Sequence, residues 1–164
     1  MNAVIKMAKN DKTNVGRLLD AKKIEYKTYN YEKTGETNGL LIAKAMGEDP
    51  ERVFKTLVTV GKSREHFVFV IPVGAELDLK KAAGAVGEKK IEMIPQKELL
   101  PLTGYIHGGC SPIGMKKFFK TTFHNSINGF EKIFFSGGKV GFQVEVNVRD
   151  IEKVIRYSVA DLTV

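Results

Sequence analysis

The chain has 164 residues, 26 of them Lys or Arg and 19 Asp or Glu, for a formal net charge of +7. Hydrophobic residues make 43% and charged residues 27%, the balance of a globular protein, and the length suits one domain spanning residues 1–164. A single cysteine excludes an internal disulfide framework and any multi-cysteine zinc or iron–sulfur site.

The most apolar run, Phe67 to Val73, is far shorter than the ~20 residues a spanning helix needs, so no membrane partner is expected. Lys6, Lys9 and Lys12 interrupt the apolar residues of the N-terminus, which excludes a secretory signal core and makes the cytoplasm the expected location. Residues 1–12 are expected to form a flexible N-terminus. The positive charge attracts polyanions. Its lysine pairs, Lys22–Lys23, Lys80–Lys81, Lys89–Lys90 and Lys116–Lys117, are spread along the chain, so charge allows a nucleic-acid partner without identifying one.

Val15, Leu18 and Leu19 fall at helical spacing behind a cap at Asp11 or Thr13. Ile24 to Tyr31 alternates and reads as a strand. Asn38 to Met46 reads as a short helix, and Asp49-Pro50 offers a cap followed by a proline at the first helical position. Phe54 to Val60 and His66 to Val73 read as strands, the second apolar enough to be buried on both faces. Asp78 caps a helix to Val86 that Gly87 closes. Strands are expected at 118–123, 132–135 and 141–146, with a last helix at 148–155 capped by Asn147. This order lacks strict βαβ alternation. It predicts an α/β (α+β) domain with a mixed or largely antiparallel sheet flanked by helices.

Three segments carry candidate chemistry. Lys55, in Phe54-Lys55-Thr56-Leu57, is a cation inside an apolar strand. Such a lysine either snorkels outward or faces an anionic or carbonyl partner. The segment from Gly104 to Gly114 holds four glycines, which permit close backbone approach and an anion-binding concavity. The same composition also suits a plain connection. Ser136-Gly137-Gly138-Lys139 lies between two strands, where glycines serve a hairpin. Neither loop has the spacing of a dinucleotide or P-loop fingerprint. His66, His107 and His124 form no metal-binding pattern, so no metal or cofactor is expected. Cys110 with His107 would be a nucleophile and base only in a cysteine-dependent hydrolase.

Taken together in this order, the three segments resemble the YbaK-type aminoacyl-tRNA deacylases, relatives of the editing domain of bacterial prolyl-tRNA synthetase. The resemblance runs from about Asn14 to the C-terminus. It implies a single compact domain around a mixed, barrel-like sheet. It puts the essential lysine on Lys55, with Thr56 beside it. The substrate loop falls on Gly108, Gly109, Ser111, Pro112 and Gly114, the serine-glycine-glycine loop on Ser136, Gly137 and Gly138, and a pocket aromatic on Tyr29. Cys110 stands where an aliphatic residue is common, and Val140 where a second basic residue is common. The implied partner is the 3′ acceptor end of a mischarged aminoacyl-tRNA, together with prolyl-tRNA synthetase. The implied reaction is removal of cysteine from proline tRNA, with the substrate thiol attacking its own ester. An alanyl-tRNA hydrolase of the same fold and a non-catalytic tRNA- or synthetase-binding module are the alternatives.

Overall fold

The computed structural model describes residues 5–6, 13–36 and 38–164. Apart from the Ile5–Lys6 strand, the expectation for residues 1–12 lies outside the described residues. Among the described residues, nine strands fall into two sheets. The first has the order β1 (Ile5–Lys6), β2 (Tyr26–Asn30), β8 (Phe142–Asn147), β7 (Lys132–Ser136), antiparallel throughout. The second has the order β5 (Ile91–Met93), β3 (Phe54–Gly61), β4 (His66–Pro72), β6 (Lys120–His124), β9 (Ser158–Ala160). Its β5/β3 and β3/β4 pairs are antiparallel, and β4/β6 and β6/β9 are parallel. The expected mixed sheet is therefore divided in two. A single parallel bridge, Val53 with Phe134, joins the halves, and the described strands close no barrel.

Three helices begin where side-chain oxygens satisfy free backbone N–H groups. Thr13 Oγ1 accepts from Gly16 N at 3.2 Å to start α1 (Asn14–Ala21). Asn38 Oδ1 accepts from Leu40 N and Leu41 N to start α2 (Gly39–Ala45). Asp78 Oδ1 does the same for Lys80 N and Lys81 N in α3 (Leu79–Val86), and Gly87 at φ +74° ends that helix. A short α4 (Leu99–Thr103) precedes the glycine-rich loop. The last helix, α5 (Val148–Ile151), is half the expected length. Asn147 does not cap it; the Glu131 carbonyl takes the Val148 N–H at 2.9 Å instead. The expected strand from residue 118 begins at Lys120, which leaves Phe118 in the preceding loop.

Strand alternation decides which side chains fill the core. Phe54 and Val58 of β3 and Val68 and Val70 of β4 face Ile133, Phe135, Val144 and Val146 of the first sheet. The intervening residues Phe67, Phe69 and Ile71 face Ala82 and Ala83 of α3. All of β4 from Phe67 onward is buried, which is why its sequence is continuously apolar. A third, small cluster of Ala43, Val53 and Phe134 sits at the seam between the sheets. No helix among the described residues is long and apolar enough to cross a membrane.

Candidate functional site

The site follows from how β3 is paired. On one side β4 covers it along its whole length, but β5 reaches only Thr59–Gly61. Phe54 to Val58 therefore have an edge that no strand covers. Ile94 N donates to the Val58 carbonyl at 3.4 Å, so the even-numbered residues of β3 aim their backbone groups toward that edge. Thr56 thus presents its N–H and C=O there. Beyond the bridge of Val53 to Phe134, β3 and β7 run on in the same direction and diverge. Lys55 on one strand and Ser136 on the other follow the bridge by two residues each. The gap between them is a cleft of about 440 Å³.

Lys55, Thr56, Gly108, Cys110 and Ser136 all line this cleft, so one residue or more from each of the three sequence segments meets there. His107, Tyr31 and Gln143 line it as well, and Leu40, Met93 and Leu99 give it an apolar wall. The two glycine loops touch directly. A Cβ on Gly109 would stand 2.9 Å from Val140 N. One on Gly138, at φ +92°, would stand 2.8 Å from Val15 Cγ2 and 3.2 Å from the Tyr105 ring. Close approach of backbone to backbone demands glycine at 109, and the left-handed φ together with the Val15 and Tyr105 side chains demands it at 138. Gly138 N donates to Ser136 Oγ at 3.1 Å, which fixes the bend.

The remaining predicted site residues support the loop from behind. Ser111 is fully buried, and its Oγ accepts from Ile113 N at 3.5 Å. Pro112 and Gly114 border a second, smaller groove, and a Cβ on Gly114 would meet the Tyr105 hydroxyl and Leu18. Gly137 packs on Phe142. Tyr29 stands outside the cleft lining: its ring packs on Phe134, and its hydroxyl donates to Glu145 Oε1 at 3.1 Å. Tyr31, two residues on, is the tyrosine in the cleft.

The electrostatics of the cleft are those of a half-buried cation among polar oxygens. Burial lowers the Lys55 pKa below the ordinary lysine value, and the Glu76 carboxylate works against that shift. Burial pushes the Cys110 thiol up to about 12, against a smaller opposing effect of the Thr103 hydroxyl. The thiol is therefore protonated at neutral pH and a poor nucleophile. Two buried oxygens at the cleft, Thr56 Oγ1 and Gln143 Oε1, have no hydrogen-bond partner among the described residues. Gln143 is only 7% exposed, so its open acceptor is costly unless something binds it. Gln143 is a residue that sequence reasoning missed, since within an alternating strand it reads as an ordinary polar position. No group of three or more His, Cys, Asp or Glu side chains is placed to hold a metal among the described residues.

Residues 41–154 match the model of the aminoacyl-tRNA editing domain. The chain belongs to the aminoacyl-tRNA editing domain family. A protein of Enterococcus faecalis named "Putative Cys-tRNA(Pro)/Cys-tRNA(Cys) deacylase EbsC" is 42% identical over 153 residues, covering 93% of each chain. Two crystal structures share the fold. The hypothetical protein APE2540 superposes with a TM-score of 0.84 at 19% identity, covering 93% of this chain and 100% of that one. A "putative trans-editing enzyme for prolyl tRNA synthetase" superposes with a TM-score of 0.77 at 21% identity, covering 93% and 98%. Membership of the editing family makes the chain an aminoacyl-tRNA deacylase.

Proposed function

We propose that the protein acts in trans on cysteinyl-tRNA(Pro), releasing cysteine from tRNA that prolyl-tRNA synthetase has mischarged. The observation that carries this reading is the meeting of Lys55, Gly108, Cys110 and Ser136 in a cleft whose cysteine thiol is protonated at neutral pH. An ester needs less assistance than an amide. The cleft supplies placement, which contributes strongly to rate when reacting atoms are held together. The Lys55 ammonium and the backbone N–H groups of the loop stabilise charge that develops on the ester oxygen. Thr56 Oγ1 and Gln143 Oε1 are acceptors suited to the substrate's α-ammonium.

The nucleophile is then the substrate's own thiol. Its sulfur bonds to the ester carbon, the bond from that carbon to the ribose oxygen breaks, and the thiol proton ends on the released hydroxyl. The products are a cyclic thiolactone and free tRNA. The high pKa of Cys110 favours this route over a Cys110–His107 hydrolase. The name of the Enterococcus relative supports the choice of cysteine. We assign the choice of tRNA to prolyl-tRNA synthetase as partner, in the cytoplasm where charging occurs.

A deacylation panel tests this: Cys, Ala, Ser and Pro, each on proline tRNA, with wild type, Lys55→Ala and Cys110→Ser. Wild type is expected to clear cysteine preferentially. Lys55→Ala is expected to lose about 100-fold or more, the scale of a lost charge-stabilising donor. Cys110→Ser is expected to keep most activity. A dead Cys110→Ser beside an active Lys55→Ala overturns the assignment, and preferential clearance of alanine makes the protein an alanyl-tRNA hydrolase instead.

A further inference from the structure

The exposed large apolar side chains among the described residues include one aromatic, Phe118, which is 57% exposed. The Arg156 guanidinium lies 5.5 Å from its ring centroid. Lys117 Nζ lies 5.6 Å from the neighbouring Phe119 ring, and Lys116 and Lys120 are exposed beside them. Between the two phenylalanines and Val154–Ile155 runs a groove of about 150 Å³. None of Lys116, Lys117, Lys120 or Arg156 takes part in an ion pair among the described residues. Two of the three other lysine pairs are partly spent: Lys81 binds Asp161 and Lys90 binds Glu92. Of the nearby acids, Asp150 is held by Lys153 at 2.7 Å, which leaves Glu152 as the exposed carboxylate.

We propose that this basic-aromatic face is where the RNA of the substrate lies after leaving the cleft. The proposal rests on the reading of the substrate as an aminoacyl-tRNA. Such a substrate is a polyanion anchored by its esterified 3′ end, so its backbone must cross a face next to the cleft. Lysines that carry no counter-charge attract phosphates, and an exposed ring with a guanidinium beside it is a stacking platform for an unpaired base. The groove and the cleft border the same glycine-rich loop: Gly108 and Cys110 line the cleft, and Pro112, Ile113 and Gly114 line the groove. A strand anchored in the cleft and running along that loop reaches Lys117 and Phe118.

The test uses the full chain with Lys117→Ala/Lys120→Ala, Lys117→Glu/Lys120→Glu and Phe118→Ala, each verified as folded by its unchanged melting temperature. Direct binding of proline tRNA is measured across a salt series, and deacylation is measured on full-length cysteinyl-tRNA and on the cysteinyl ester of adenosine. The double alanine variant is expected to weaken tRNA binding about tenfold or more and to make the log–log salt dependence shallower by about 1.4–1.8, two phosphate contacts' worth. Reversed charge weakens binding further, Phe118→Ala weakens it about tenfold, and turnover of the adenosine ester stays unchanged in all three. Unchanged affinity and salt slope overturn the proposal, and leave this face to an acidic protein surface. An equal loss on the adenosine ester also overturns it, because the damage then lies in the cleft. Wild type that binds tRNA with the full salt slope but deacylates nothing overturns the functional reading and leaves this one standing.

Discussion

Lys55 earns its place by an imbalance of forces. An apolar strand and a half-buried setting disfavour its charge, and the opposing pull of Glu76 does not cancel the burial. Its pKa is therefore below the usual lysine value, and activity that needs the cation fades as pH rises through that lowered value. Removing the Glu76 charge takes away the one group that raises it. Glu76→Gln is expected to move the alkaline limb of kcat/KM to lower pH, with near-wild-type turnover on the acid side. A background-corrected pH–rate profile of both proteins checks this, and a limb that stays put or moves up contradicts the role. The lysine was legible in the sequence because a cation among Phe54, Leu57 and Val58 is an anomaly. Gln143 and the open hydroxyl of Thr56 were not. Whether a polar atom in a strand has a partner depends on what the facing elements bring to it. Tyr31 was hidden for a related reason. Alternation puts Tyr29 and Tyr31 on one face, but β2 ends at Asn30, and Tyr31 at φ −113° and ψ 15° leaves the extended conformation. Tyr31 lines the cleft, while the Tyr29 ring packs on Phe134, and which of two same-face tyrosines borders a cavity depends on what packs over each.

The long elements were readable where their caps and periods agree. Thr13, Asn38 and Asp78 each start a helix through a bond to the backbone, and β4, apolar from Phe67 onward, is buried there on both faces. The short strands β5 and β9 have three residues each, too few to show a period. Yet β5 decides the site, because its early end leaves the Phe54–Val58 edge open. The loops face the same difficulty in reverse. Their glycines marked them as special, but which glycine opens to ligand and which packs on a neighbour is a tertiary fact. Gly109 is a sharp case: it meets the backbone of Lys139 and Val140, so an added methyl forces the two loops apart. Gly109→Ala is expected to cost about 1–3 kcal/mol in denaturant unfolding, the usual scale of overpacking, with a larger relative loss of deacylation. A variant with native stability and full activity would show that the contact between the loops does not shape the cleft.

At the scale of the molecule, two sheets meet at one bridge and part beyond it. The seam is dry and closed by Val53, Ala43 and Phe134, while the open end becomes a cleft between diverging strands. The protein supplies a rigid frame, a positive charge and backbone donors, and leaves the attacking atom to the substrate. This division of labour is what the cysteine preference depends on. A single comparison puts it at risk: kcat/KM for proline tRNA carrying cysteine against the same tRNA carrying 2-aminobutyrate, in which a methyl replaces the thiol at nearly the same size. The account predicts a preference for cysteine of at least about 100-fold, since an internal nucleophile carries the advantage of pre-orientation and the methyl carries none. Equal rates for the two esters would mean that a bound water does the work, and would contradict it.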